Sequence, residues 1–320
     1  MKITHLALVA CALLLLSGCF GPTSTYNTNY HSGSEGVELE FFTNCPPEEV
    51  YTDTEFEVKV MASNNGAADL NSTEKGIDNS VPVGKGFLML SYDDYYLKPR
   101  AGQEIKHRLL AMRGKSLFWP KGEDELISLA NLTVKPLQGQ ISAPTTQVMA
   151  TACYPYRTLL TKEICVDMNV YSQDVRNQAC TNQELTLQDQ GAPIAVTHIQ
   201  PVFLPEGQTH VRPRFNIHIE NVGGGVALSG DIENVKVEDC IPKSQDVLLG
   251  SHLSVKGWLG NKDLKLDCLP ENITLIQNQA DIVCTTDLIS IKPNYMTPLT
   301  IQIDYLYSKS VSKTIQIWRS

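Results

Sequence analysis

Tyr305-Leu306-Tyr307-Ser308-Lys309-Ser310-Val311-Ser312-Lys313-Thr314-Ile315-Gln316-Ile317, near the end of the chain, repeats the spacing of Tyr154-Pro155-Tyr156-Arg157-Thr158-Leu159-Leu160-Thr161-Lys162-Glu163-Ile164-Cys165-Val166 near its middle. Both obey the frame Tyr-x-Tyr-x-x-x-apolar-Ser/Thr-Lys-x-apolar-x-apolar. Upstream, the run from Phe56 into Asn64-Asn65-Gly66 corresponds to the run from Phe215 into Asn221-Val222-Gly223, with two residues fewer in the second copy. A shift of two keeps every strand side chain on its own face. This duplication predicts two copies of one sandwich of roughly 110 to 130 residues, each opening with an edge strand and closing with a hairpin.

Around these runs the chain alternates in period two. Val37, Leu39 and Phe41 alternate with Glu38 and Glu40, and Phe56, Val58 and Val60 with Glu57 and Lys59. In the second half, Phe215, Ile217 and Ile219 alternate with Asn216 and His218, and Leu264, Leu266 and Cys268 with Lys265 and Asp267. Half-buried antiparallel strands are written this way, and Gly, Asn and Pro clusters punctuate them as turns. No long amphipathic helix stands out beyond the N-terminal leader. The expected fold class is all-β, with two tandem immunoglobulin-like sandwiches spanning 37–168 and 193–320, joined by a disulfide-containing linker at 169–192.

In each expected hairpin the tyrosines share a face with Val148, Ala150 and Ala152, or with Leu299, Ile301 and Ile303. Their rings should finish the core while the hydroxyls reach a partner at the sandwich end, as a tyrosine corner does. Stacking on a ligand is the alternative role for the same pairs.

The N-terminus addresses location. The apolar run from Leu6 to Leu16 is far short of the ~20 residues that span a bilayer, so it reads as the core of a secretory leader. Leu16-Ser17-Gly18-Cys19 closes it and resembles the lipobox of prokaryotic lipoproteins, which implies cleavage after residue 18 and a lipid on Cys19. Residues 19–36 are rich in Ser, Thr, Asn, Gly and Tyr and read as a flexible tether with a reach on the order of 20 Å. The net charge of −9, which becomes −10 once Lys2 leaves with the leader, argues against a nucleic-acid partner. Membrane attachment is therefore expected through the lipid on Cys19, at the extracellular face.

Beyond Cys11 and Cys19 stand Cys45, Cys153, Cys165, Cys180, Cys240, Cys268 and Cys284, with no Cys-x-x-Cys pair among them. Disulfides account for them better than zinc or redox motifs, and an odd number leaves one thiol over. Cys45, alone in its part of the chain, is the candidate. Cys165 with Cys180 and Cys268 with Cys284 are expected pairs, each closing a loop worth roughly 3 kcal/mol. Were a hairpin turn centred on Leu159, Cys153 would face Cys165, and that bond is the alternative.

The strand Phe215-Asn216-Ile217-His218-Ile219-Glu220-Asn221-Val222-Gly223 resembles the cell-adhesion-related (CARDB-like) immunoglobulin-like modules of prokaryotic surface proteins. With the lipobox, Cys153-Tyr154-Pro155-Tyr156, the run from Gln190 to Thr197 and the terminal hairpin, the chain is similar to a family of archaeal surface lipoproteins. The resemblance implies an anchor and tandem sandwiches and transfers no catalytic or ligand residues. It also implies a small apolar residue where this chain has Cys45, which again marks that thiol as the unpaired one.

Signatures of chemistry are weak. The sequence carries no Gly-x-Ser-x-Gly elbow, no His-Glu-x-x-His and no phosphate-binding glycine loop. His198, His210 and His218 fall at the start of the second sandwich, where surface histidines are commoner than a metal site. Asp93-Asp94 among Tyr92, Tyr95 and Tyr96 raises calcium or sugar binding, but adjacent carboxylates splay apart on a strand, and a solvated loop is expected. Lys115-Ser116-Leu117-Phe118-Trp119-Pro120 reads as a loop plugging a sandwich end, with a partner-binding surface as the alternative. Asn71, Asn131 and Asn272 head N-glycosylation triplets. The expected protein is a non-catalytic, lipid-anchored surface module with no cofactor or metal and a surface protein or glycan as partner. The alternative is a solute- or glycan-binding lipoprotein serving a transporter.

Overall fold

The computed structural model describes residues 30–70, 84–105, 107–139, 143–167, 179–230, 232, 235–241, 251–260, 264–271, 273–290 and 293–320. Cys19, Asn71 and Asn272 lie outside the described residues. The first half of the chain forms β1 (Val37–Phe41), β2 (Glu49–Tyr51), β3 (Glu55–Asn64), β4 (Gly86–Tyr92), β5 (Leu97–Pro99), β6 (Arg108–Leu110), β7 (Asp124–Val134) and β8 (Thr145–Val166). In the second half follow β9 (Leu185–Thr186), β10 (Ile194–Glu206), β11 (His210–Asn221), β12 (Val226–Leu228), β13 (Ser251–Leu259), β14 (Leu264–Lys265) and β15 (Asp267–Leu269). The last strands are β16 (Ile273–Leu275), β17 (Gln279–Thr285), β18 (Ile289–Ser290) and β19 (Tyr295–Trp318).

These strands build an all-β molecule of antiparallel, immunoglobulin-like sandwiches. A 4-stranded sheet in the order β1-β3-β7-β5 faces one half of a 9-stranded sheet, β14-β13-β19-β8-β4-β6 with β2, β12 and β16 alongside. A 6-stranded sheet, β15-β17-β11-β10-β9 with β18, faces the other half. The period-two runs lie as expected: β3 buries Phe56, Val58, Val60, Ala62 and Asn64, and β11 buries Val211, Phe215, Ile217 and Ile219.

The closing hairpins do not form. β8 and β19 are unbroken strands of 22 and 24 residues, and they pair antiparallel with each other from Thr145↔Gln316 to Val166↔Tyr295. The reason is legible in the residues that would have turned. Arg157 to Glu163 and Ser308 to Thr314 contain no Gly, Asn, Asp or Pro, and no residue there adopts positive φ. The first half of β8 lies beside β4, and its second half accompanies the first half of β19, which is flanked by β13. Each long strand thus begins in its own sandwich and ends in the other. Pro155↔Leu306 marks the centre of this exchange, with Tyr154↔Tyr307 and Tyr156↔Tyr305 on either side. One hydrophobic cluster consequently runs through both sandwiches, from Val58 and Leu132 to Phe215 and Ile282.

The repeat also aligns differently from the expectation. Val37 pairs with Asn64, and Ile194 pairs with Asn221, so the two asparagines are equivalent. Counting back equally from each puts Phe215 in the place of Val58, with no two-residue gap; the aromatic match to Phe56 was fortuitous. The run 264–268 likewise changes partners midway, with β14 joining β13 and β15 joining β17.

Three disulfides join Cys165 to Cys180, Cys268 to Cys284, and Cys153 to Cys240, while Cys45 is free. The alternative Cys153–Cys165 bond is excluded because β8 runs straight between them. Cys153 instead meets Cys240 at the end of a 3-10 turn, Val237–Cys240, in a small cluster with Phe87, Leu228 and Leu306 on the outer face of the central sheet. This bond ties the second half of the chain to a strand of the first. Disulfides of this number belong to an oxidising environment. Among the described residues no helix is long and apolar enough to cross a membrane.

Candidate functional site

Among the described residues, the junction where β8 and β19 pass from one sandwich to the other is filled by aromatic side chains. Tyr154, Tyr156, Tyr305 and Tyr307 are all buried, and their rings close a circuit with centroid separations of 5.5, 5.9, 6.2 and 6.3 Å. Every hydroxyl is used. Tyr156 donates to Asn64 Oδ1 at 3.0 Å and accepts from the Ala68 N–H at 3.3 Å; Tyr307 donates to Asn221 Oδ1 at 2.9 Å and accepts from the Gly225 N–H at 2.7 Å. The Val37 N–H donates to Tyr154 at 2.9 Å, and the Ile194 N–H to Tyr305 at 3.3 Å. Each asparagine completes the unit by donating to the Ala68 or Gly225 carbonyl, both at 2.9 Å. The tyrosines therefore finish the core and bond at the sandwich ends, and no room is left between them for a ligand.

Glycine is required beside them. A Cβ on Gly66 would fall 1.9 Å from the Tyr156 hydroxyl, and one on Gly223 would fall 2.2 Å from Pro193 Cβ. Burial pushes the Tyr154, Tyr156 and Tyr305 hydroxyls well above the ordinary tyrosine range and raises Tyr307 to about 12.

The outer surface carries the features able to meet another molecule. One is a groove of about 600 Å³ between the turn after β4 and the segment after β7, lined by Asp94, Tyr95, Tyr96, Lys98, Lys135 and Gln138 among others. Asp93 organises its wall: its carboxylate accepts from the Tyr95 N–H at 2.9 Å, and its carbonyl accepts from the Leu97 N–H at 3.0 Å. The Asp94 carbonyl accepts from Lys135 Nζ. Tyr95 stands 61% exposed, edge-on to Tyr96 at 4.8 Å. An exposed aromatic ring framed by ammonium, amide and carboxylate groups can stack on a sugar ring and bond its hydroxyls. The Asp93 carboxylate is spent on its own turn, which is poor preparation for calcium.

The second feature is the loop from Lys115 to Pro120, and it does not plug a sandwich end. Leu117, Phe118 and Trp119 are 55%, 65% and 43% exposed. A tight turn presents them: Ser116 and Trp119 exchange backbone bonds of 3.0 and 3.2 Å, and Ser116 Oγ accepts from the Trp119 N–H at 3.1 Å. The Arg113 guanidinium lies 5.1 Å over the Trp119 ring.

The structure brings His198 and His218 face to face across β10 and β11, whereas His210 sits at the far end of β11 beside Thr209 and Ser290. His218 bonds Asp281 at 2.7 Å and Glu220 at 2.9 Å, and the Asp281 carboxylate above all raises its pKa. Among the described residues no group of three or more His, Cys, Asp or Glu is placed to hold a metal. Asn131 lies partly exposed on β7, opposite Glu57. Sequence reasoning missed the Cys153–Cys240 bond, the Lys98 and Lys135 side of the groove, and an ion pair of 2.5 Å between Arg157 and the buried Asp304 on the outer face of the central sheet. All three depend on contacts between residues distant in the chain, which local spacing does not reveal.

No protein-family model matches the chain, and no curated protein matches it. Among solved structures it is similar to the sialic acid binding region of a Streptococcus sanguinis adhesin bound to 3'sLn, at 13% identity over 90% of this chain and 78% of that one. The TM-score of 0.15 is too low for that likeness to carry an argument.

Proposed function

We propose that the chain is a lipid-anchored extracytoplasmic module, without catalytic activity of its own, that displays a rigid body for contact with a surface protein or glycan. The observation that carries this reading is the central sheet. A protein that captures solute by closing two lobes needs a hinge and a cleft between them. Here β8 and β19 run through both sandwiches, and the four tyrosines occupy the space a cleft would need. A body of this kind is suited to display, with Cys19 as its point of attachment. Intact-mass measurement on protein from native membranes tests it: the chain should begin at Cys19 with an added lipid mass, and a Cys19→Ser chain should carry none. Protein that keeps its first eighteen residues and fractionates with the cytosol would contradict the reading.

The groove beside Tyr95 supports a second reading, in which the contact is a captured glycan. Screening the full chain and a Tyr95→Ala variant on a glycan array separates the two. Retention of a sugar by the first and not by the second would favour capture.

A further inference from the structure

We propose that the turn 116–119 is a membrane-inserting tip, which seats the body on the lipid surface to which Cys19 is tied. The inference rests on the reading of Cys19 as the anchor and adds an orientation to it. Three consecutive apolar side chains, two of them aromatic, stand out from the body on a turn locked by its own backbone and Ser116 bonds. Scattered apolar residues on a surface need no explanation, but a contiguous preorganised group does. Leu, Phe and Trp are the residues that partition into the boundary between headgroups and acyl chains.

Position selects lipid over other occupants. Lys115 Nζ donates to the Ser32 carbonyl at 3.2 Å, so the turn is rooted beside the first described residues of the chain. Gly33 is held there as well, its carbonyl accepting from the Gly191 N–H at 2.8 Å. Eleven residues lead from Tyr30 back to Cys19, at most about 40 Å of chain. A lipid on Cys19 therefore keeps this side of the body close to the bilayer, and insertion of the tip costs little further ordering. Without its leader the chain is acidic, with a net charge of −10, so the contact is apolar and should be insensitive to salt.

The test uses the full lipidated chain in vesicles of phosphatidylcholine brominated near the glycerol end of the acyl chains. Trp258→Phe and Trp318→Phe leave Trp119 as the only reporter. The expected result is that the protein floats with the vesicles and Trp119 emission moves to the blue, losing about half its intensity to bromine in low and high salt alike. Adding Phe118→Ser should return Trp119 to iodide-accessible emission while the lipid still holds the protein on the vesicle. Floating protein whose Trp119 stays open to aqueous iodide overturns the tip and leaves the anchor standing. Protein that does not float overturns both. A blue shift without vesicles, accompanied by a doubled solution mass, means that a second copy covers the turn, and it also overturns the proposal.

Discussion

Tyr156 faces Tyr305 directly across the β8–β19 ladder, ring centroids 6.3 Å apart, although the two belong to different copies of the internal repeat. The pairing follows from the exchange centred on Pro155↔Leu306, and it makes the corner of each sandwich a wall of the other. Damage to one corner should therefore be felt by the whole molecule.

Tyr156→Phe removes the hydroxyl that bonds Asn64 Oδ1 and the Ala68 N–H in a buried setting. Unsatisfied buried groups cost about 1–3 kcal/mol, so urea unfolding should show a loss of that size, and a similar one for Tyr307→Phe. Tyr95→Phe, altering an exposed ring, should leave the midpoint within about 0.5 kcal/mol of the parent. Equal midpoints for all three would contradict the corner arrangement.

Alkaline stability follows from the same hydroxyls. Their folded-state pKa values are raised by burial, so the stability they confer is fully present below the unfolded tyrosine value near 10 and is lost as pH climbs through the folded values. Absorbance titration near 295 nm should show four of the 12 tyrosines ionising only together with unfolding, rather than in the ordinary range.

The Cys153–Cys240 bond spans a sequence separation of 87, and Cys268–Cys284 one of 16. In the loop-entropy picture the first contributes about 4.5 kcal/mol and the second about 3 kcal/mol. Replacing both cysteines of a pair by Ala should therefore lower the denaturant midpoint more for the long loop. The reverse order would mean that the long bond adds little to holding the 3-10 turn on the central sheet.

Much of this architecture is visible in the residues themselves. Alternation in β3 and β11 marks the buried faces, and the Tyr-x-Tyr frame points to hydroxyls bonded at the sandwich ends, because a buried phenol needs a partner. The hairpins expected from the repeated frames do not form, because the residues after Tyr156 and Tyr307 offer no Gly, Asn, Asp or Pro to turn the chain. The false Phe56–Phe215 match shows that a side-chain type repeats less faithfully than a bonding role. Asn64 and Asn221, each accepting from a tyrosine hydroxyl, are the true landmarks. The tyrosine cluster at Tyr95 and the apolar run at Phe118 are both visible in the sequence, but the Lys98 and Lys135 wall of the groove and the outward exposure of Phe118 are set by how distant loops meet.

His218 offers a pH handle on the second sandwich. Its raised pKa, due first to Asp281, means that its stabilising contribution is fully present below the unfolded histidine value and fades as pH rises through the elevated folded one. An NMR titration of the imidazole should place its pKa above the ordinary histidine value, and Asp281→Asn should bring it down. Asp281 is largely exposed, so added salt should shrink the difference.

The claim that the two sandwiches are one body is tested most directly by differential scanning calorimetry of the intact oxidised chain. Strands shared along the β8–β19 ladder predict a single transition whose calorimetric enthalpy equals its van't Hoff enthalpy. Two separable transitions, each assignable to one half of the chain, would contradict it.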